Sequence, residues 1–156
     1  MFTGQFLRAA IARAERLRGA EREAAAAECR KMANGLIRAA SVSDVKGMVV
    51  RGFATDGRSH YPLSSTCQTV PWFFGMHAWA KSPFPTDEER KAAVAKMVEV
   101  AEAIEANGWY VPSDGRFTGL KNGDFTCEEK LVFRSAASHR RFARGPHLRS
   151  PHRPSA

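Results

Sequence analysis

At 156 residues with 44% hydrophobic content, the chain is long enough for one domain with a core and too short for two. Its formal charge of +8 sits at one end: from Lys130 onward there are seven basic residues and no acid, while residues 1–129 hold 17 basic against 16 acidic. A near-neutral body removes the general argument for a nucleic-acid partner, which then rests on the tail alone. From about Thr3 to Ala40 the pattern is helical. Leu7, Ile11, Ala14 and Leu17 recur at three- and four-residue steps, and Ala25, Cys29, Met32 and Leu36 resume the stripe, with Arg8, Glu15, Arg22 and Lys31 opposite. Gly19 marks a break into two helices, with Gly35 a weaker interruption. Residues 45–65 lack a helical stripe and are rich in β-branched and turn-forming types. They predict an extended stretch near Met48–Phe53, a turn at Asp56-Gly57, and a second extended stretch near Ser59–Leu63.

The next helix is expected to start at Thr69–Pro71, with Thr69 near the N-cap and Pro71 in the first turn, and to run to about Lys81. Pro83 and Pro85 stop it. It is aromatic on most sides, so it needs neighbours on several sides. A further helix opens on Thr86 and Glu89, which have capping-box spacing, and carries Ala93, Val94, Met97, Ala101 and Ile104 as a core stripe. Asn107-Gly108 supplies its left-handed stop. The last two helices form an αα-hairpin with a short proline-bearing connection. Beyond Trp109 the pattern decays into a loop, and from about Phe133 there are almost no aliphatic residues, so the expectation is a helical body over 1–129 and a disordered basic tail over 130–156.

The change of composition near Glu129 fits three origins: a basic arm for phosphate backbones, an ordinary terminus, or out-of-frame translation of a GC-rich gene. The tail offers one aromatic, Phe142, for base stacking, which leaves the nucleic-acid reading weakly supported. Cys29, Cys67 and Cys127 are odd in number and far apart, with no CxxC pair. This excludes a zinc ribbon and predicts free thiols in a reducing compartment. Arg8, Arg13, Glu15, Arg16 and Arg18 interrupt any apolar run at the N-terminus, so the sequence as given predicts no signal peptide, no membrane span and a cytoplasmic location. Neither clustered ligands nor a phosphate-cradling glycine loop are apparent, so no metal and no cofactor are expected.

Residues 45–114 carry the most specific pattern. Arg51-Gly52, Asp56-Gly57, Ser59-His60-Tyr61 and Ser65 are followed by Gln68, Trp72 and Gly75-Met76 at the head of the next helix. This arrangement resembles uncharacterised members of the six-hairpin glycosidase group, whose domains are (α/α)6 toroids. The resemblance implies an all-α, partial toroid-like fold made of helical hairpins. It also implies a carbohydrate-active ancestor of glycoside hydrolase or lyase type, and an oligosaccharide as partner. A full toroid has twelve helices, so this chain would supply about a third of one and be inactive alone. Where the pattern has an acid immediately before Gln68, this chain has Cys67, which implies a weakened site if that acid contacts sugar.

The loop has a composition suited to sugars independently of that resemblance: aromatic rings for apolar sugar faces, and polar groups for hydroxyls, within seventeen positions. Asp56, His60 and Tyr61 are the candidate catalytic residues, and Arg58, Gln68 and Trp72 the candidate substrate-binding ones. Each has a structural alternative. Asp56 is also the turn residue of Asp-Gly, and Trp72 and Trp79 have the spacing of core residues. His60 could serve as a structural hydrogen-bond partner, and His77 and Cys67 could be packing groups. Hydrolysis needs two carboxyls, about 5–5.5 Å or 6.5–9.5 Å apart, and Asp44, Asp56, Asp114 and Asp124 are the loop acids available. Polysaccharide lyases use Tyr/His bases instead, which His60-Tyr61 would suit. Two other classes compete: a small helical binding or scaffold protein that self-associates through exposed apolar faces, and a basic-tailed nucleic-acid binder.

Overall fold

A computed structural model describes residues 2–114; the expectations for the tail, Asp124 and Cys127 fall outside them. The described chain is all-α, with helices α1 (Phe2–Arg16), α2 (Gly19–Ala39), α3 (Thr66–Lys81) and α4 (Asp87–Ala106). They form two hairpins, and α1 packs chiefly against α2 and α3 while α3 pairs with α4. No helix among the described residues is long and apolar enough to cross a membrane.

The first hairpin follows from its stripes. Leu7, Ile11 and Ala14 of α1 and Ala25, Cys29, Ala33 and Leu36 of α2 are buried, and Gly19 (φ 54) takes the left-handed backbone that parts the helices. Burial pushes the Cys29 thiol up from its ordinary value. The helices α1 and α3 cross at glycines: a Cβ on Gly75 would lie 2.8 Å from the Gly4 Cα, and one on Gly4 would land on the Pro71 carbonyl oxygen. Only hydrogen at both positions lets the two backbones meet.

Helix α3 begins at Thr66, with Ser65 in extended conformation before it, three residues earlier than the Thr69 cap expected from sequence. Thr69 instead lies within the helix and turns its hydroxyl back to the Ser65 carbonyl at 3.0 Å. Pro71 is therefore interior, and its missing N–H leaves one rung of the helical ladder unmade. Trp72, Phe73, Met76 and Trp79 are nearly inaccessible, whereas Phe74 is 41% exposed. The burial that an all-aromatic helix demands is thus met on every side but one.

The second hairpin closes as its sequence predicts. Thr86 and Glu89 make the reciprocal capping box of α4, with Thr86 N–H donating to Glu89 Oε2 at 2.8 Å. At the other end Gly108 (φ 66) and Trp109 donate back to the carbonyls of Glu105 and Ile104, a Schellman closure. Arg30 of α2 joins the hairpins: it donates to Glu89 Oε1 at 2.6 Å and to the Phe84 carbonyl at 2.8 Å, and covers the Trp79 ring.

Candidate functional site

Residues 40–65 connect the hairpins and hold most of the candidate site. Met48, Val49 and Val50 are buried and anchor this stretch, with Val50 N–H bonded to the Ala39 carbonyl at 2.9 Å. Beyond them the backbone reverses at Asp56-Gly57. The two expected extended stretches meet in a single antiparallel bridge, Phe53 to His60, rather than in a ladder. Arg38, from the last turn of α2, lies over the Phe53 ring and close against Gly57, so the helix end braces the turn.

Asp56 is the turn's organiser. Its Oδ1 accepts from the N–H groups of Arg58 and Ser59, both at 2.9 Å, and its Oδ2 accepts from the Ser59 hydroxyl. The Ser59 hydroxyl first, then the two backbone N–H groups, holds its carboxyl below the ordinary aspartate value. A carboxylate used this way fixes a loop and is poorly disposed to give or take a proton.

His60 is placed otherwise. Its Nδ1 lies 2.9 Å from the Arg58 carbonyl, which can only accept, so Nδ1 carries the proton of that bond. Its Nε2 lies 2.9 Å from Asp114 Oδ2, yet the two are not aligned for a hydrogen bond, and Nε2 is a buried atom without a hydrogen-bond partner. The contact is therefore a close approach without hydrogen-bond geometry, and the second ring nitrogen faces a carboxylate. Asp114 is itself held: Ser43 donates to its Oδ1 at 2.8 Å, and its N–H donates to the Pro62 carbonyl at 2.9 Å. Ser64 ties the same seam, its hydroxyl donating to the Val49 carbonyl at 2.7 Å and its N–H to Ser113 Oγ at 3.1 Å.

Tyr61 is 52% exposed, and the Arg51 guanidinium lies 5.7 Å from its ring centre. Arg58 is exposed and Gln68 half-buried on the first turn of α3, next to the exposed Cys67. Trp72 is a correction to the expected substrate contacts. It is 1% exposed, its indole N–H donates to the Leu36 carbonyl at 2.8 Å, and its ring stands edge-on to Phe73, so it has no open face for a ligand. The structure thus sets His60 against Asp114, which Ser43 holds, and Tyr61 against Arg51, removes Trp72 to the core, and commits Asp56 to the turn. Asp114 was one of four loop acids in the sequence, and nothing local marked it as the partner of a histidine 54 positions earlier. Among the described residues no three of His, Cys, Asp and Glu converge as metal ligands would. No protein-family model, curated protein or solved structure matches the chain.

Proposed function

We propose that the loop of residues 40–65, joined to residues 112–114, is one wall of a carbohydrate site in a toroid of helical hairpins, of glycoside hydrolase or lyase type. The described helices make two hairpins where a full toroid has six, so the wall binds sugar without completing a reaction. The observation that carries the reading is the exposed ring of Tyr61 against Arg51, in a loop pinned by the approach of the preceding His60 to Asp114. An exposed phenol backed by a guanidinium offers an apolar sugar face a platform, and the imidazole that precedes it is fixed at Nδ1 by the Arg58 carbonyl. With Asp56 held in the turn, a hydrolase would draw its second carboxyl from another hairpin, whereas the exposed Tyr61 hydroxyl that a lyase could use is already in the loop. That favours the lyase branch.

The test is saturation-transfer NMR of the 156-residue chain against neutral and uronate-bearing oligosaccharides. Binding that falls about tenfold or more in Tyr61→Ala and His60→Ala, with the fold intact, is the expected result. No binding by the wild-type chain, or binding indifferent to both changes, overturns the proposal. The alternative, a helical binding or scaffold protein, draws on Phe6, 63% exposed on α1, and Phe74, 41% exposed on α3.

A further inference from the structure

Helix α4 presents two stripes, one buried in the core and one that touches it through the partly buried Val94. Ala93, Met97, Val100, Ala101 and Ile104 are buried beneath it. Lys91, Val94, Ala95, Val98 and Glu102, again at helical steps, line an open groove of about 670 Å³ to which none of the candidate site residues contributes. Val94, Ala95 and Val98 form an apolar floor, and the small Ala95 leaves room for a second helix at the usual 8–10 Å.

The charges at the two ends decide what fits. Arg90 is engaged by the carbonyls of Ala80 and Ser82, and Glu99 is paired with Lys96 at 3.0 Å. Lys91 and Glu102 have no such partner among the described residues. They lie about 16 Å apart along the axis and equally far from the midpoint between Ala95 and Val98. A two-fold axis through that midpoint runs two copies of α4 antiparallel. It sets Lys91 of each against Glu102 of the other, and Ala95 against Val98, every contact occurring twice. A parallel pairing would oppose like charges. Lys46 also lines the groove, beside its acidic end because Gly47 abuts Val100 and Ala103, and there it lessens the charge contrast without reversing it. We infer that a second copy of this chain docks along α4 in this antiparallel register, Lys91 pairing with the other copy's Glu102.

One helix pair buries less than the roughly 1,600 Å² of a standard interface, so the dimer is weak and concentration-dependent. Sedimentation equilibrium of the full chain at low salt should show a monomer–dimer equilibrium. Lys91→Glu and Glu102→Lys should each weaken it about tenfold, since each substitution makes two repulsive contacts. The double exchange should restore it. An equimolar mixture of the two single variants should associate more tightly than either alone, because both end contacts become attractive. Circular dichroism monitors the helix in each variant. A chain that stays monomeric throughout, or a dimer that ignores Lys91→Glu, overturns the inference. The second result would move association to another surface, such as that of Phe6 and Phe74.

Discussion

The α1–α3 crossing and the loop that follows α2 are stabilised by opposite means. At the crossing the chain excludes everything: glycine meets glycine, and Trp72, Met76 and Trp79 are sealed in. In the loop Ala40, Gly47–Val50 and Ser64 are buried, and the rest is held by side chains bonded to backbone, from Asp56, Ser43 and Ser64. Apolar fit makes a surface that tolerates no change of volume, whereas side-chain-to-backbone bonding makes a loop that keeps its shape while leaving Tyr61 outside. A sealed crossing and an open loop therefore coexist among the described residues without sharing side chains.

The sharpest way to break this contrast is Trp72→Ala, which should cost about 3–5 kcal/mol in denaturant unfolding, because it opens a large cavity and removes the indole hydrogen bond to the Leu36 carbonyl. A cost below about 1 kcal/mol would mean that the crossing is not the tight element. Gly75→Ala should come next, at about 1–3 kcal/mol, since the added methyl meets the Gly4 backbone rather than a side chain that could move. In the loop, Ser64→Ala should cost about 1–2 kcal/mol by leaving the Val49 carbonyl unpaired. Hydrogen exchange should show that loss around residues 48–50 and 113, with the amides of α1 and α3 unchanged; uniform loss would merge the two regions into one. The smallest effect is a pH dependence. The hydrogen bond from Arg30 holds the Glu89 carboxyl below its ordinary value. A lowered folded value means that its contribution is complete above about pH 4.5 and fades as the pH falls through the folded value. Glu89→Gln should flatten the acid limb of a stability-against-pH curve, and an unchanged limb would mean the pair contributes nothing.

How far the fold was legible follows the same division. The α4 capping box, the Gly108 stop and the break at Gly19 were readable because each is a local bargain among residues within a few positions. The start of α3 was misread. Thr69 and Pro71 look like a cap and a first-turn proline, but the helix takes up an extra turn after Ser65, whose side chain makes no cap hydrogen bond. The meeting of Gly4 with Gly75 and the approach of His60 to Asp114 depend on how separate segments come together, and no periodicity encodes that. Sequence could name His60 and Tyr61 as candidates by residue type. It could not say that Asp114, rather than Asp56, would face the imidazole, because an Asp-Gly turn and a charge partner look alike until the chain has folded back.

Glu89 takes part in two structures at once: one carboxyl oxygen closes the capping box of α4, and the other receives Arg30 from the opposite hairpin. Unwinding the first turn of α4 and parting the two hairpins are therefore not independent excursions. Whatever loosens one withdraws an anchor from the other, so local fraying at this end should appear as a cooperative, subglobal opening, in which the amides of α4's first turn and the clasp around Arg30 exchange together.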